Sequence, residues 1–253
     1  MAKLVCVDPG HGINTPGKRT PVIAELGRSI KEYEFNKPVA YYLRKELERC
    51  GFRTMLATVN DLDTPLATRT KRANDANADI YVSIHYNAGG GQGVETYHFP
   101  GSSKGRRLAQ CIHEFVIQGT PQKNRGVKSA NFYVLRHTKM PAALIEFGFM
   151  DDPGLREARL MINKAFQLEC AQETAKGICK YFGVPYRGSS TAPQQPSQSK
   201  PMYDIYVNNS TTDLYSTSYP DKLVAKVKEL VQKGTDSIHL YRRDSKNNPK
   251  NKK

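Results

Sequence analysis

Three apolar stretches of this chain each deliver a residue that can bind a metal or move a proton. Leu4-Val5-Cys6-Val7 runs into Asp8-Pro9-Gly10-His11-Gly12, Ile80-Tyr81-Val82-Ser83-Ile84 ends on His85, and Ala143-Leu144-Ile145 ends on Glu146. Open α/β sheets bind their ligands at strand ends of this kind. The glycines flanking His11 let the backbone turn tightly and approach a metal or substrate closely. Two imidazoles and a carboxylate oxygen make a zinc (Zn2+) ligand set with a fourth position left for water, the pattern of catalytic rather than structural zinc. Bound zinc brings the pKa of such a water to roughly 7. A second carboxylate must then carry protons, and Glu146 suits that role because burial after an apolar strand raises a carboxyl pKa. No compact His-Glu-x-x-His motif is present, so buried core histidines and a capping glutamate fit the same residues. Asn87, just beyond His85, suits orientation of substrate or of the His85 loop, and also an ordinary turn.

The elements that must position these groups follow from periodicity. A helix is predicted over 33–50, where Phe35, Val39, Leu43 and Leu47 recur near helical spacing and Gly51 closes it. A strand over 52–58, a turn over 60–65 and a helix over 66–77 follow; Arg69 and Arg72 on that helix are expected to pin it to the sheet. Beyond His85 come Gly89-Gly90-Gly91, a strand over 93–99 and a helix over 102–118. Next are a loop over 120–130 with Lys123, Arg125 and Lys128, and a short strand over 132–135. After the strand ending at Glu146, a helical region in two pieces spans 153–182. Strands alternating with helices predict an α/β layer with a mostly parallel sheet between helices.

With 253 residues, 38% of them hydrophobic, the chain has room for one good-sized domain and a small appendage. No apolar run approaches the roughly 18 residues of a membrane helix, so no membrane insertion is expected. Met1-Ala2-Lys3 leads straight into the first strand, which reads as the absence of a secretory signal peptide. A net charge of +14 points to a polyanionic partner, either nucleic acid or an anionic cell envelope. The lack of zinc-finger spacing, a recognition helix or an aromatic RNA-binding motif argues against nucleic acid. The cysteines Cys6, Cys50, Cys111, Cys170 and Cys179 are scattered without a Cys-x-x-Cys pair and read as free, mostly buried thiols.

A Pro/Gln/Ser-rich linker over 188–201 separates a domain over 1–187 from a small α+β module over 202–253. The module is expected to hold strands over 203–207 and 237–241, a helix over 220–232 and a basic tail over 247–253. So few apolar positions make it marginal alone, and it reads as a binding module tethered to a catalytic domain. Its tyrosines Tyr203, Tyr206, Tyr215, Tyr219 and Tyr241 suit stacking on sugar rings or a small core. His98, His113, His137 and His239 have no partner pattern and read as packing or surface residues.

Four ordered motifs carry a family resemblance. They are Asp8-Pro9-Gly10-His11-Gly12, Ile30-Lys31-Glu32-Tyr33-Glu34-Phe35-Asn36, Ser83-Ile84-His85-Tyr86-Asn87-Ala88 and Leu144-Ile145-Glu146-Phe147-Gly148-Phe149. Over residues 3–183 the chain resembles the zinc-dependent N-acetylmuramoyl-L-alanine amidases of the Amidase_3 type. The resemblance implies a twisted six-stranded sheet flanked by helices, zinc held by His11, Glu32 and His85, and Glu146 as the catalytic residue. The segment between His11 and Glu32 is longer than in many relatives, which makes Glu25 and Glu34 rivals of Glu32; Glu34 is expected to face solvent. The implied reaction is hydrolysis of the amide between N-acetylmuramic acid and L-alanine of bacterial peptidoglycan. A tethered basic module without a signal peptide resembles a phage endolysin, held in the host cytoplasm until lysis and then acting at the wall. A sporulation or mother-cell autolysin shares the chemistry. A carboxypeptidase-like zinc hydrolase of wall peptides and a non-catalytic binding protein are the other readings.

Overall fold

In the computed structural model of the chain, residues 2–120 and 122–188 are described, with 203–207, 215–217, 226–227, 229–230, 232 and 238–242. The chain divides into two compact units, Met1–Ser189 and Ser190–Lys253.

The first unit begins with β1 (Leu4–Pro9), α1 (Tyr33–Arg49), β2 (Arg53–Leu56), α2 (Leu66–Asp75), β3 (Ile80–Asn87) and β4 (Val94–His98). It continues with α3 (Ser103–Gly119), β5 (Asn124–Ser129), α4 (Tyr133–Arg136), β6 (Ala142–Phe149), α5 (Arg156–Leu160) and α6 (Lys164–Phe182). The six strands form one sheet in the order β2-β1-β3-β6-β4-β5. Pairing is parallel throughout except between β4 and β6. This is the expected six-stranded, mostly parallel sheet flanked by helices.

Residue alternation along the strands divides the core in two. Val5, Val7, Val82, Ile84, Ile145 and Phe147 face α1, α3 and α6, whose Phe35, Leu43, Ile112 and Ile178 are fully buried against them. Cys6, Tyr81 and Leu144 face the other way, onto Ala73 of α2 and Val134 and Leu135 of α4. Asp8, Ser83, His85 and Glu146 share that second parity, so the chemistry lies on the thinly covered face, at the carboxyl ends of the central strands.

Local signals explain the helices. The stripe Phe35, Val39, Leu43, Leu47 buries α1 along its length. Pro38 within α1 cannot donate to Glu34, and the freed Glu34 carbonyl instead accepts from Gln167 Nε2 on α6 at 3.1 Å. Ser102 and Asn163 cap α3 and α6 by accepting from Gly105 N and Phe166 N. Gly177 lets α6 lie against α3: a Cβ there would come within 2.4 Å of Ile112 Cα.

Two expected elements differ. Residues 132–135 form no strand; Tyr133–Arg136 is the short helix α4, because consecutive residues Val134 and Leu135 both enter the core while Phe132 stays 38% exposed. The expected loop over 120–130 contains β5, whose sequence Asn-Arg-Gly-Val-Lys-Ser lacks apolar alternation because it is a half-exposed edge strand.

All five cysteines are free, four of them buried. Among the described residues no helix is long and apolar enough to cross a membrane. In the second unit, β7 (Tyr203–Val207), β8 (Tyr215–Thr217) and β9 (Ile238–Arg242) form an antiparallel sheet in the order β8-β7-β9. The strands predicted over 203–207 and 237–241 correspond to β7 and β9, and β8 was not anticipated. Residues 226–227, 229–230 and 232 are helical and Leu230 is buried. The rest of the predicted helix, the linker from 189, the basic tail and the tyrosine and His239 side chains lie outside the described residues.

Candidate active site

His11 enters the site on a turn that only a cross-braced backbone holds. Its φ of 60° is left-handed, a conformation disfavoured for a residue with a Cβ. Gly10 N donates to Ile84 O at 2.9 Å on one side, and Arg69 Nη2 donates to His11 O at 3.2 Å on the other. The flanking glycines act by close approach to protein. A Cβ on Gly10 would meet the His85 ring at 2.2 Å, and one on Gly12 would meet Asp63 N at 2.2 Å. Gly12 therefore packs on the 62–63 backbone.

Arg69 organises this end of the sheet. Only 1% exposed, it pairs with Asp8 Oδ1 at 2.6 Å and donates to Pro9 O, Thr64 O and His11 O, with Asp63 Oδ1 at 3.1 Å. The expected pinning role of Arg69 is what the structure contains; Arg72 reaches Leu56 O at 3.4 Å. Burial works against the charge on Asp8, but Arg69, His85 and Ser83 outweigh it and hold the carboxyl below its usual range.

Asp8 also fixes the tautomer of His85. Ser83 Oγ donates to Asp8 Oδ2 at 2.7 Å, so toward His85 Nε2, 3.1 Å away, the hydroxyl acts as acceptor. Nε2 then carries the hydrogen and Nδ1 faces inward, the arrangement by which a metal-binding histidine is normally oriented. Opposite Nδ1, at 3.2 Å, lies Glu32 Oε1, which also accepts from Tyr86 N at 2.9 Å.

Glu32 stands immediately before α1 and is 1% exposed. The long segment ahead of it does not shift its register, because the chain closes on itself: Arg19 bridges Lys31, Thr20 bonds Ile30 in both directions, and Glu32 N donates to Lys18 O. The rivals point elsewhere. Glu25 pairs with Arg159, and Glu34, half-buried rather than fully solvent-facing, pairs with Arg28 and accepts from Lys31 N.

His11, Glu32 and His85 can each offer one ligand atom, all within 4.8 Å of one another. Glu32 Oε2 is buried, has no hydrogen-bond partner, and lies 3.2 Å from His11 Nε2. Burial keeps His11 neutral with its pKa lowered to about 4, despite the opposing pull of Glu32. Burial opposes the ionised form of Glu32, yet His85 and His11 bring its pKa down to about 2. For His85, burial disfavours the charged ring, but the hydrogen bond and charge of Glu32 outweigh it and raise its pKa. Two acceptor-bearing groups facing an anionic carboxylate require a proton or a cation between them. This donor set of two imidazoles and one carboxylate fits zinc.

Glu146 lies on β6 in parallel register with His85 on β3. Its Oε2 is shielded and has no hydrogen-bond partner. Burial, reinforced by the Glu32 charge and opposed by His85, pushes its pKa up to about 8. Beside His11 and His85 a cleft of about 280 Å3 is lined by Asp63, Leu66 and Arg69. Asn87 uses both polar ends within the protein: Nδ2 donates to Glu95 Oε1 at 2.6 Å and Oδ1 accepts from Ala88 N at 2.8 Å.

Sequence reasoning missed Asp8, Ser83 and Glu95 as parts of this site. Strand parity was the available signal, since each shares a face with His85 or Glu146. Of the other histidines, His113 bridges Thr96 and Asn124 in the core, His98 bonds Phe99 O, and His137 stacks on Tyr133.

The chain is 35% identical over 189 residues to the sporulation-specific N-acetylmuramoyl-L-alanine amidase of Bacillus subtilis, covering 74% of this chain and 71% of that protein. It is 32% identical over 220 residues to the endolysin of Bacillus phage SPP1, covering 83% and 78%. The catalytic domain of CwlV, an N-acetylmuramoyl-L-alanine amidase from Bacillus (Paenibacillus) polymyxa var. colistinus, superposes with a TM-score of 0.64 at 30% identity, covering 72% of this chain and 99% of that one. Residues 5–180 match the sequence profile of Amidase_3, N-acetylmuramoyl-L-alanine amidase, and the chain belongs to that family.

Proposed function

We propose that this amidase cleaves the bond between the lactyl group of N-acetylmuramic acid and L-alanine in peptidoglycan, using zinc held by His11, Glu32 and His85 and proton transfer by Glu146. The observation that carries the reading is the juxtaposition of the three ligand-bearing side chains with a shielded, partnerless carboxyl in register with His85. When bound, zinc supplies a Lewis acid that polarises a carbonyl and makes water a nucleophile at neutral pH. The rest falls to the chain. Ser83 and Asp8 hold His85 with Nδ1 inward. Burial lifts the Glu146 carboxyl above the ordinary carboxylate range, which suits a group that passes protons; it takes the proton of the attacking water and gives it to the nitrogen of the departing L-alanine. Asn87, engaged at both ends, supports orientation of the loop after His85.

The endolysin reading has a specific support. The match to the phage endolysin covers 83% of this chain, more than the first unit alone comprises, so it extends into the second. The whole chain carries a net charge of +14, which suits an anionic wall, and the C-terminal unit is read as a module that holds the enzyme there after release from the host cytoplasm at lysis. Digestion of purified peptidoglycan with and without a chelator, assaying amines and reducing ends separately, tests the chemistry. New L-alanine amines that vanish with the chelator are expected. Released terminal amino acids would identify a carboxypeptidase instead, and chelator-resistant activity would remove zinc from the reading.

A further inference from the structure

Glu95 is an acid beside the site that the proposed chemistry leaves unused. It is 2% exposed on β4, directly across from Glu146 in the antiparallel pairing, so one row of side chains runs His85, Glu146, Glu95. Its carboxylate is fully engaged. Oε1 accepts from Asn87 Nδ2 at 2.6 Å and Tyr97 OH at 2.7 Å; Oε2 accepts from Arg125 Nε at 2.7 Å and from Lys128 Nζ.

The two cations come from the edge strand β5, with side chains 31% and 37% exposed. The Arg125 guanidinium lies 4.9 Å from the centre of the Phe149 ring, and the Lys128 ammonium lies 6.0 Å from that of Tyr97. Both are thus fixed in direction and open to solvent. Among the described residues Glu95 is the one acid paired with either, which leaves one positive charge in excess.

Their separation from the reacting centre matches a peptide. β5 lies two strand spacings from β6, about 10 Å. A stem peptide extends from the cleaved amide by at most about 7 Å over its first two residues, and long cationic side chains span the remainder. The second stem residue of peptidoglycan is D-glutamate joined through its side-chain carboxyl, so its α-carboxyl is left free or amidated. We infer that Arg125 and Lys128, set in direction by Glu95, form a subsite for the free α-carboxylate of that second residue. This rests on the amidase reading above. Glu95 is a positioning residue; Arg125 and Lys128 touch the substrate.

The test compares two synthetic muropeptides, both N-acetylmuramoyl-L-Ala-D-Glu with the side-chain carboxyl capped as an amide, one with a free α-carboxylate and the other with an α-carboxamide, with whole walls alongside, all cut by the full chain loaded with zinc. The wild type is expected to favour the carboxylate on the order of tenfold in kcat/KM, carried by KM. Arg125→Gln and Lys128→Met should bring that ratio to about one, whereas Lys128→Arg, which keeps the charge, should retain the preference. Glu95→Gln should lower the ratio by raising KM for the carboxylate form, an effect that loss of folded protein would not produce. Equal losses on both muropeptides in the Arg125 and Lys128 variants would overturn the subsite. So would amine release from whole walls by a wild type indifferent to the α-carboxylate. Release from neither muropeptides nor walls would remove the amidase reading itself.

Discussion

One oxygen of Glu32 is buried without a hydrogen-bond partner, 3.2 Å from the neutral His11 ring, and such an atom is costly unless a cation satisfies it. His11→Ala, His85→Ala and Glu32→Ala are therefore expected to lose zinc by metal analysis, while Glu25→Ala and Glu34→Ala retain it. Full metal in Glu32→Ala would move the ligand elsewhere. Ser83→Ala should weaken zinc binding about 10- to 100-fold by calorimetric titration, because it removes the acceptor that directs His85 Nδ1 inward. Glu146→Gln keeps shape but cannot exchange the proton. It should fold, bind zinc like the parent and release amines about 10²–10⁴ times more slowly. Loss of zinc in this variant would instead make Glu146 a ligand.

Among the elements, the contact of α6 with α3 and the tie of α2 to β1 carry the clearest consequences. Gly→Ala within a helix ordinarily stabilises by about 1 kcal/mol. At Gly177 the sign reverses, since the added Cβ would come within 2.4 Å of the α3 backbone. Gly177→Ala should lower the denaturant midpoint; a rise would show that the two helices separate at little cost. Asp8→Asn removes the buried partner of Arg69 and leaves it only the half-exposed Asp63, and a loss of about 3 kcal/mol is expected. The folded-state pKa of Asp8 lies below its ordinary value of 3.8. Its contribution is thus complete above that pH and is lost as the pH falls through the lowered value. The wild type should lose stability in that acid range more steeply than Asp8→Asn, and parallel acid profiles would count against the ion pair.

At the scale of the whole molecule, the first unit contains every residue assigned to the chemistry, and the family match ends at residue 180. A chain ending at 187 is expected to fold and keep amidase activity on soluble muropeptides. It should sediment with whole walls less than the full chain does, because a tether raises the effective concentration of the enzyme at the surface. Raising the salt should weaken the sedimentation of the full chain if basic charge contributes. Equal sedimentation of both forms would show that residues 188–253 are not a wall-binding module.

Much of this architecture was legible because it is local. Short apolar runs marked the central strands and a near-3.6 pattern marked α1, and Asp8-Pro9-Gly10-His11-Gly12 and Leu144-Ile145-Glu146 marked two strand ends where ligands collect. The family's motif order also singled out Glu32 against Glu25 and Glu34, although spacing alone did not. What remained hidden depends on contacts between residues far apart in the chain. Residues 124–129 pair as an edge strand whose hydrogen bonds come from β4 and not from its own composition. Phe132 to Leu135 is apolar enough for a strand, yet burial of adjacent residues turns part of it into a helix. The lengthened loop before Glu32 keeps its register only because Thr20 meets Ile30 and Lys18 meets Glu32. Sequence determined which residues can ligate and titrate. Tertiary structure decided that Asp8 and Ser83 orient His85 and that Glu95 faces Glu146, since both follow from strand register, which no single segment encodes.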